Sequence, residues 1–293
     1  MDFSRYWSAR QKTVDAALNR FLPKATTRPK TIHQAMRYSI FAGGKRLRPV
    51  ICLASAEVVG GKIDNALPLA CALECIHTYS LIHDDLPAMD NDDFRRGKPT
   101  SHKVFGEGMA ILAGDGLLTI AFEIAVQGKA TSRYSYSDLV RELAKASGSQ
   151  GMVGGQVADL EGEGKKISPA DLRYIHENKT AALIASSIRL GAMSANATPK
   201  QLAYLTDFGQ SLGLAFQVID DILDVTQTSE KLGKSAGKDV AAQKATYPAL
   251  LGLDKAKKEA DRLTARARAA LKPFGKNAAP LEAIADYLLQ REN

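Results

Sequence analysis

A chain of 293 residues that is 45% hydrophobic can bury a sizeable core, and its composition excludes a disordered chain. Its formal charge of +7 suits acidic small substrates better than nucleic acid, because the bases lie on a solvated helix, KAKKEADRLTARARAALK, or stand singly instead of forming a continuous patch with aromatics. With no secretory leader in MDFSRYWSARQK and no run of 18 uncharged apolar residues, the chain is expected to be soluble and cytoplasmic, with no membrane contact.

Nearly every segment has helical period and none shows sustained strand alternation, so the prediction is an all-α, single-domain helical bundle around a central cavity. The first predicted helix runs from Lys30 to Ala42 and stops at Gly43-Gly44, before the basic loop Lys45, Arg46, Arg48. Pro49 opens a helix ending at Gly60-Gly61, and a largely apolar helix follows from Ala66 to Asp85. Cys71 and Cys75 share a face of that helix. His77 lies about 200° round from Cys75, so the three do not converge on a zinc ion, and Cys52, Cys71 and Cys75 read as small buried hydrophobes.

The helix runs into LIHDDLPAMDNDDFRRGKPTSH, where Asp84, Asp85, Asp90, Asp92 and Asp93 fall within ten positions, followed by Arg95, Arg96 and Lys98. Five carboxylates at the end of an apolar helix repel one another unless cations bind them, and hard divalent ions such as Mg²⁺ take such oxygen ligands and share them with phosphates. Pro87 should end the helix and present Asp90 from a loop. Phe105 to Gln127 reads as one buried helix containing Asp115, and Ser137 to Ser147 as a shorter one. In the glycine-rich GSQGMVGGQVADLEGEG, Gln156 and Asp159 either line the cavity or belong to a helix start or close helix packing. Ser168-Pro169 starts a helix containing Lys179-Thr180.

From Pro199 a long helix reaches FQVIDDILD. There Asp220 and Asp224, at i and i+4, put two carboxylates on one face about 6 Å apart. Two such acidic faces aimed at each other would cage several Mg²⁺ ions around a diphosphate. Beyond them, TQTSEKLGKSAGKDVAAQKATYP carries Lys231, Lys234, Lys238 and Lys244 and reads as a lid over phosphate. Helices over Tyr247 to Leu253, Asp254 to Leu271 and Pro280 to Gln290 complete the chain.

Five ordered motifs, GGKRLRP, HDDLPAMDNDDFRRGKPTSH, HENKTAAL, FQVIDDILD and LGKSAGKD, resemble the trans-isoprenyl diphosphate synthase family over nearly the whole chain. Within it, the bacterial-type farnesyl diphosphate synthases are the branch the chain resembles, and the four residues between Asp85 and Asp90 also resemble plant geranylgeranyl enzymes. The resemblance implies an isoprenoid-synthase fold, a homodimer, and head-to-tail condensation of isopentenyl diphosphate with dimethylallyl or geranyl diphosphate. It implies about three Mg²⁺ ions, with Mn²⁺ as a substitute, held by Asp84, Asp90 and Asp220 with Asp85, Asp221 and Asp224 in support. Arg95, Lys179, Lys234 and Lys244 would hold the allylic diphosphate, with Thr180 and Gln217 turned towards the cation. Gly44, Lys45, Arg48, His77 and Arg96 would hold isopentenyl diphosphate.

Tyr79 and Ser80 lie just before the first motif. Tyr79 is about 7.5 Å up the helix from Asp84, where a phenol would floor a tunnel for the growing tail, and the expected product is therefore C15 farnesyl diphosphate, with C20 geranylgeranyl diphosphate as the alternative. A terpene cyclase has no use for the second diphosphate site that GGKRLRP supplies. A non-catalytic regulatory subunit would be expected to have lost an Asp or Lys from the motifs, and none is missing.

Overall fold

The computed structural model describes residues 2–226 and 245–289. Helix α1 (Phe3–Phe21) precedes α2 (Lys30–Ile40), α3 (Leu47–Val58) and α4 (Ile63–Asp84). A two-stranded hairpin (β1, Phe94–Arg95; β2, Lys98–Pro99) leads to α5 (Ser101–Phe105), α6 (Glu107–Ala125), α7 (Tyr136–Ser147), α8 (Met152–Gly162) and α9 (Pro169–His176). A π-helical turn, Glu177–Ala181, joins α9 to α10 (Ala182–Ser194). Then come α11 (Pro199–Thr226), α12 (Tyr247–Leu251), α13 (Leu253–Leu271), a 3₁₀ segment (Lys272–Ala278) and α14 (Ala279–Leu289).

The all-α prediction holds. Helix α4 is apolar all round, and helices of that kind are buried; every residue from Ala66 to Ile76 is buried. Packing runs in series from α6 through α4, α3, α10 and α11 to α13. One apolar cluster joins α1, α2, α4 and α6, a second joins α3, α10, α11 and α14, and a third ties α11 to α12 and α13. The three cysteines are free and buried within this core. Ser168 caps α9 through a reciprocal capping box with Asp171, with Pro169 in the first turn, as the sequence predicts.

Three elements differ from the sequence reading. Helix α1 was not foreseen; it seats Trp7 against Phe3 and Tyr287, with ring centroids 5.5 and 5.4 Å apart. The predicted Phe105–Gln127 helix is two helices divided at Gly106. Helix α6 is long and apolar enough to cross a membrane by length and composition alone, with 39% of that stretch buried. The hairpin forms without an Asn-Gly or Asp-Gly pair: Arg96 and Gly97, at φ 54° and 74°, supply the two left-handed residues that its tight turn demands.

Candidate active site

The C-terminal ends of α4 and α11 meet at one cavity of about 470 Å³. Asp84 and Asp90 line it from the first motif and Asp220 and Asp221 from the second, with Lys179, Thr180 and Gln217 between them. Helix C-termini carry partial negative charge, so carboxylates placed there raise the negative potential of the cavity further. Burial, opposed by Lys179 and reinforced by Asp90, pushes the Asp84 carboxyl up to about 6. Such a carboxylate calls for a cation. Helix α4 does end at Asp84, and the Asp90 N–H donates back to the Asp84 carbonyl at 2.8 Å, presenting Asp90 from the turn after Pro87.

The remaining acids are divided between roles. Asp85 is held by Arg95, whose Nε donates to Oδ1 and Oδ2 at 2.8 and 2.9 Å. Asp221 accepts from the Tyr247 backbone N–H at 2.9 Å and lies 3.1 Å from His176 Nε2. Asp224 is buried behind the cavity wall, and its Oδ2 has no hydrogen-bond partner among the described residues. Among the described residues no three acidic, histidine or cysteine side chains converge closely enough to hold an ion unaided. Mg²⁺ fits that donor set, since it keeps several waters and binds through one or two carboxylates plus substrate phosphate. Asp84, Asp90 and Asp220, which line the cavity, are the residues that would hold it.

Two cations border the acids. Arg95 lines the cavity from β1, and Lys179 Nζ donates to Asp159 Oδ2 at 2.6 Å. Asp159 therefore lines the cavity, as one sequence reading has it, whereas Gln156 is not in its wall. The π-turn is held by close backbone packing on two sides. A Cβ on Gly155 of α8 would lie 2.1 Å from the Lys179 nitrogen, and one on Gly213 of α11 would lie 2.6 Å from Ala181 Cβ. Only glycine lets α8 and α11 press this closely on the turn.

A second basic cluster lies beside the first. Gly44, at φ +124°, faces the Arg96 guanidinium, which donates to the Gly43 carbonyl; a Cβ on Gly44 would meet Arg96 Nη1 at 2.4 Å. Burial, opposed by Glu74 and reinforced by Arg96, draws Arg48 down to about 10, and Arg48 Nε has no partner among the described residues. Burial and then Arg48, Arg96 and Arg95 hold the His77 imidazole well below its usual pKa, so it is neutral at pH 7. Lys45, expected in this group, has its Nζ 5.3 Å from the centroid of the Tyr287 ring. The base that sequence reasoning undervalued is Arg46. Buried and left-handed at φ 52°, it donates to Glu74 and Asp15 at 2.8 Å each and fixes the loop that carries its neighbours. Lys234 and Lys244, with residues 227–244 of the predicted lid, lie outside the described residues.

Tyr79 does not line the cavity. It is buried in the core with its ring edge-on to His83 at 5.8 Å, and burial beside Asp84 raises its hydroxyl to about 12. Ser80 donates to the His77 carbonyl at 2.9 Å, so its hydroxyl is occupied within the helix.

The family model for polyprenyl synthetase matches residues 29–279. The chain belongs to that family. It is therefore a prenyltransferase of the trans-isoprenyl diphosphate synthase type with isoprenoid diphosphates as substrates. It is 51% identical to the chloroplastic geranylgeranyl pyrophosphate synthase of Capsicum annuum, in a match that covers 100% of this chain and 79% of that protein. It is also 48% identical to the geranylgeranyl diphosphate synthase of Cyanophora paradoxa, covering 98% of this chain and 96% of the relative. Among solved structures, a candidate farnesyl-diphosphate synthase from Marinomonas sp. MED121 superposes with a TM-score of 0.84 at 42% identity, covering 99% of both chains.

Proposed function

We propose that this polyprenyl synthetase condenses isopentenyl diphosphate head-to-tail with allylic diphosphates and releases the C20 product, geranylgeranyl diphosphate. The observation that carries the C20 reading is the near-full-length similarity to geranylgeranyl diphosphate synthases at 48–51% identity, against 42% to the Marinomonas protein. It displaces the C15 expectation drawn from Tyr79, and the burial of Tyr79 in the core outside the cavity wall supports the change.

The chain's own groups divide the work. Arg95 and Lys179 orient the allylic diphosphate in the Asp-lined cavity and stabilise charge as it develops on the leaving group. Mg²⁺, when bound, supplies further neutralisation of that diphosphate. Thr180 and Gln217 turn oxygens towards the allylic carbon as its C–O bond breaks. Gly44, Arg48, His77 and Arg96 hold isopentenyl diphosphate so that its alkene attacks that carbon, and Arg forks suit the phosphate oxygens. The proton then lost from the new prenyl chain passes to the released diphosphate. Lys234 and Lys244 belong to the same diphosphate site by resemblance.

The deciding experiment supplies Mg²⁺, labelled isopentenyl diphosphate and, separately, dimethylallyl, geranyl and farnesyl diphosphate, and sizes the dephosphorylated products. Geranylgeraniol from all three primers is expected. Farnesol as the end product, with farnesyl diphosphate refused as a primer, would sink the C20 reading and restore Tyr79 as a tunnel floor. Tyr79→Ala should then lengthen the product. A homodimer is proposed as well: Val104, Ile111 and Leu112 are exposed on α5 and α6, and a second copy would cover them. Light scattering at micromolar concentration tests it, and a monomer would reject it.

A further inference from the structure

A larger cavity of about 600 Å³ lies on the other side of the π-turn from the aspartates. Residues of one short segment alternate between the two. His176, Lys179 and Thr180 line the catalytic cavity, whereas Glu177, Asn178 and Ala181 line the second. The π-turn is the wall between them, and π-bulges recur at functional positions in helices.

The second cavity is built from charge at its rim and small apolar groups within. Lys145, Arg173, Arg189 and Arg266 contribute four cations against two lining acids, Glu142 and Glu177. Arg189 is spoken for by Glu142 at 2.9 Å and Thr206 at 2.7 Å, and Arg266 by Asp207. Arg173 holds Glu177 only through an exposed i,i+4 pair at 2.7 Å, which is weak in water. Lys145 pairs with no carboxylate among the described residues. Ala146, Ala185 and Leu214 supply apolar surface. Ser186, 1% exposed, lines the same cavity with an Oγ that has no hydrogen-bond partner among the described residues. Buried hydroxyls in helices ordinarily donate back to a carbonyl four residues earlier, as Ser187 does to Leu183 at 2.7 Å. An orphan hydroxyl in a cationic cavity has a proton to donate to an anion.

We propose that this cavity is a second ligand site, taking a small molecule with an anionic head and a short apolar body, and that its occupancy sets the position of Lys179 and Thr180. The head lies against Lys145 and Arg173 and the body over Ala146, Ala185 and Leu214. Asn178 and Ala181 flank Lys179 and Thr180 on the same short turn, so an occupant pressing on the first pair acts on the backbone that carries the second. The regulatory half rests on the catalytic reading of Lys179 and Thr180; the binding half does not.

Calorimetric titration with hexyl phosphate and with hexanoate tests binding first, without divalent metal. The wild type should bind one molecule per chain, and Lys145→Ala/Arg173→Ala should weaken it at least about tenfold. Ser186→Ala should weaken it by a smaller factor, and Asp84→Asn/Asp220→Asn should leave it unchanged. Binding of hexyl phosphate alone marks a phosphate ligand, and binding of both marks any small anion with an apolar tail. No binding by either probe, or equal loss in the aspartate variant, overturns the site. In turnover, the probe that binds should change kcat, with the KM for the allylic diphosphate that Lys179 orients free to change alongside it, and Lys145→Ala/Arg173→Ala should abolish that response with its basal kcat intact. Competitive inhibition would refute the regulatory role. An enzyme inactive on all primers would refute the catalytic reading while the titration still reports on the site.

Discussion

Gly155→Ala is the smallest change that should disable the enzyme without touching a substrate. The added methyl would lie 2.1 Å from the Lys179 nitrogen and 2.6 Å from its Cα, about 1.3 Å short of ordinary contact, and the atoms it meets are backbone. The π-turn must move away from α8, but Gly213 blocks the side towards α11, where a Cβ already would crowd Ala181 at 2.6 Å. Overpacking of this kind costs about 1–3 kcal/mol of stability. The functional loss is larger, because a displacement of about 1 Å in a positioning group can lower the rate about 10²-fold. Lys179 would leave Asp159, and Thr180 would turn from the cavity. Steady-state kcat with each primer and urea unfolding of the same preparation measure the two effects. Gly108→Ala is the control, since nothing lies within 4 Å of the new methyl and alanine favours the helix. Wild-type kcat in Gly155→Ala would refute the claim that the packing of α8 positions the turn.

Arg46→Ala should lose about 3–5 kcal/mol in urea unfolding, because it leaves the Glu74 carboxylate buried without its partner. For Asp84, whose carboxyl sits near 6 in the fold, the native protein holds a proton that the unfolded chain releases between about pH 4 and 6, so this group lowers stability as pH rises through that window. Asp84→Asn should therefore raise Tm at pH 7 without divalent metal, with the gain fading towards pH 4, while turnover falls about 10²-fold or more; a Tm gain independent of pH would contradict the assignment. The depressed His77 has the opposite sign, since the unfolded chain takes up its proton first and stability is lost as pH falls below about 6.5. Its ring resonances should still be those of neutral imidazole at about pH 6.5, and an ordinary midpoint near 6.5 would be evidence against burial among the arginines.

The acidic ends of α4 and α11 were legible in the sequence because repulsion among close carboxylates is a local fact, and helical period fixes where they point. The capping box at Ser168 and the end of α4 before Pro87 are local in the same sense. What decided Arg46 was not local. In GGKRLRP three bases look alike, and only the burial of Glu74 on α4 selects the middle one for the core. The contact of Lys45 with Tyr287 was illegible for the same reason, since Tyr287 is supplied by the last helix. The π-turn depends on two glycines far apart in the chain, so no periodicity across HENKTAAL announces it. The hairpin escaped notice because Arg96 accepts a left-handed backbone that a turn rule assigns to Asn or Asp.

The ion pairs Arg95–Asp85 and Lys179–Asp159 mean that, among the described residues, the two bases on which the diphosphate site rests are already matched before any diphosphate arrives. A monovalent bystander anion offers neither base more than the carboxylate it already has, so it gains little by entering. A ligand must bring several charges, and the divalent cations that occupy the aspartates, before exchanging partners is favourable. The empty enzyme is thereby shielded from the chloride and simple carboxylates that crowd any cell, and its selectivity begins as an exchange reaction ahead of any recognition of the prenyl tail.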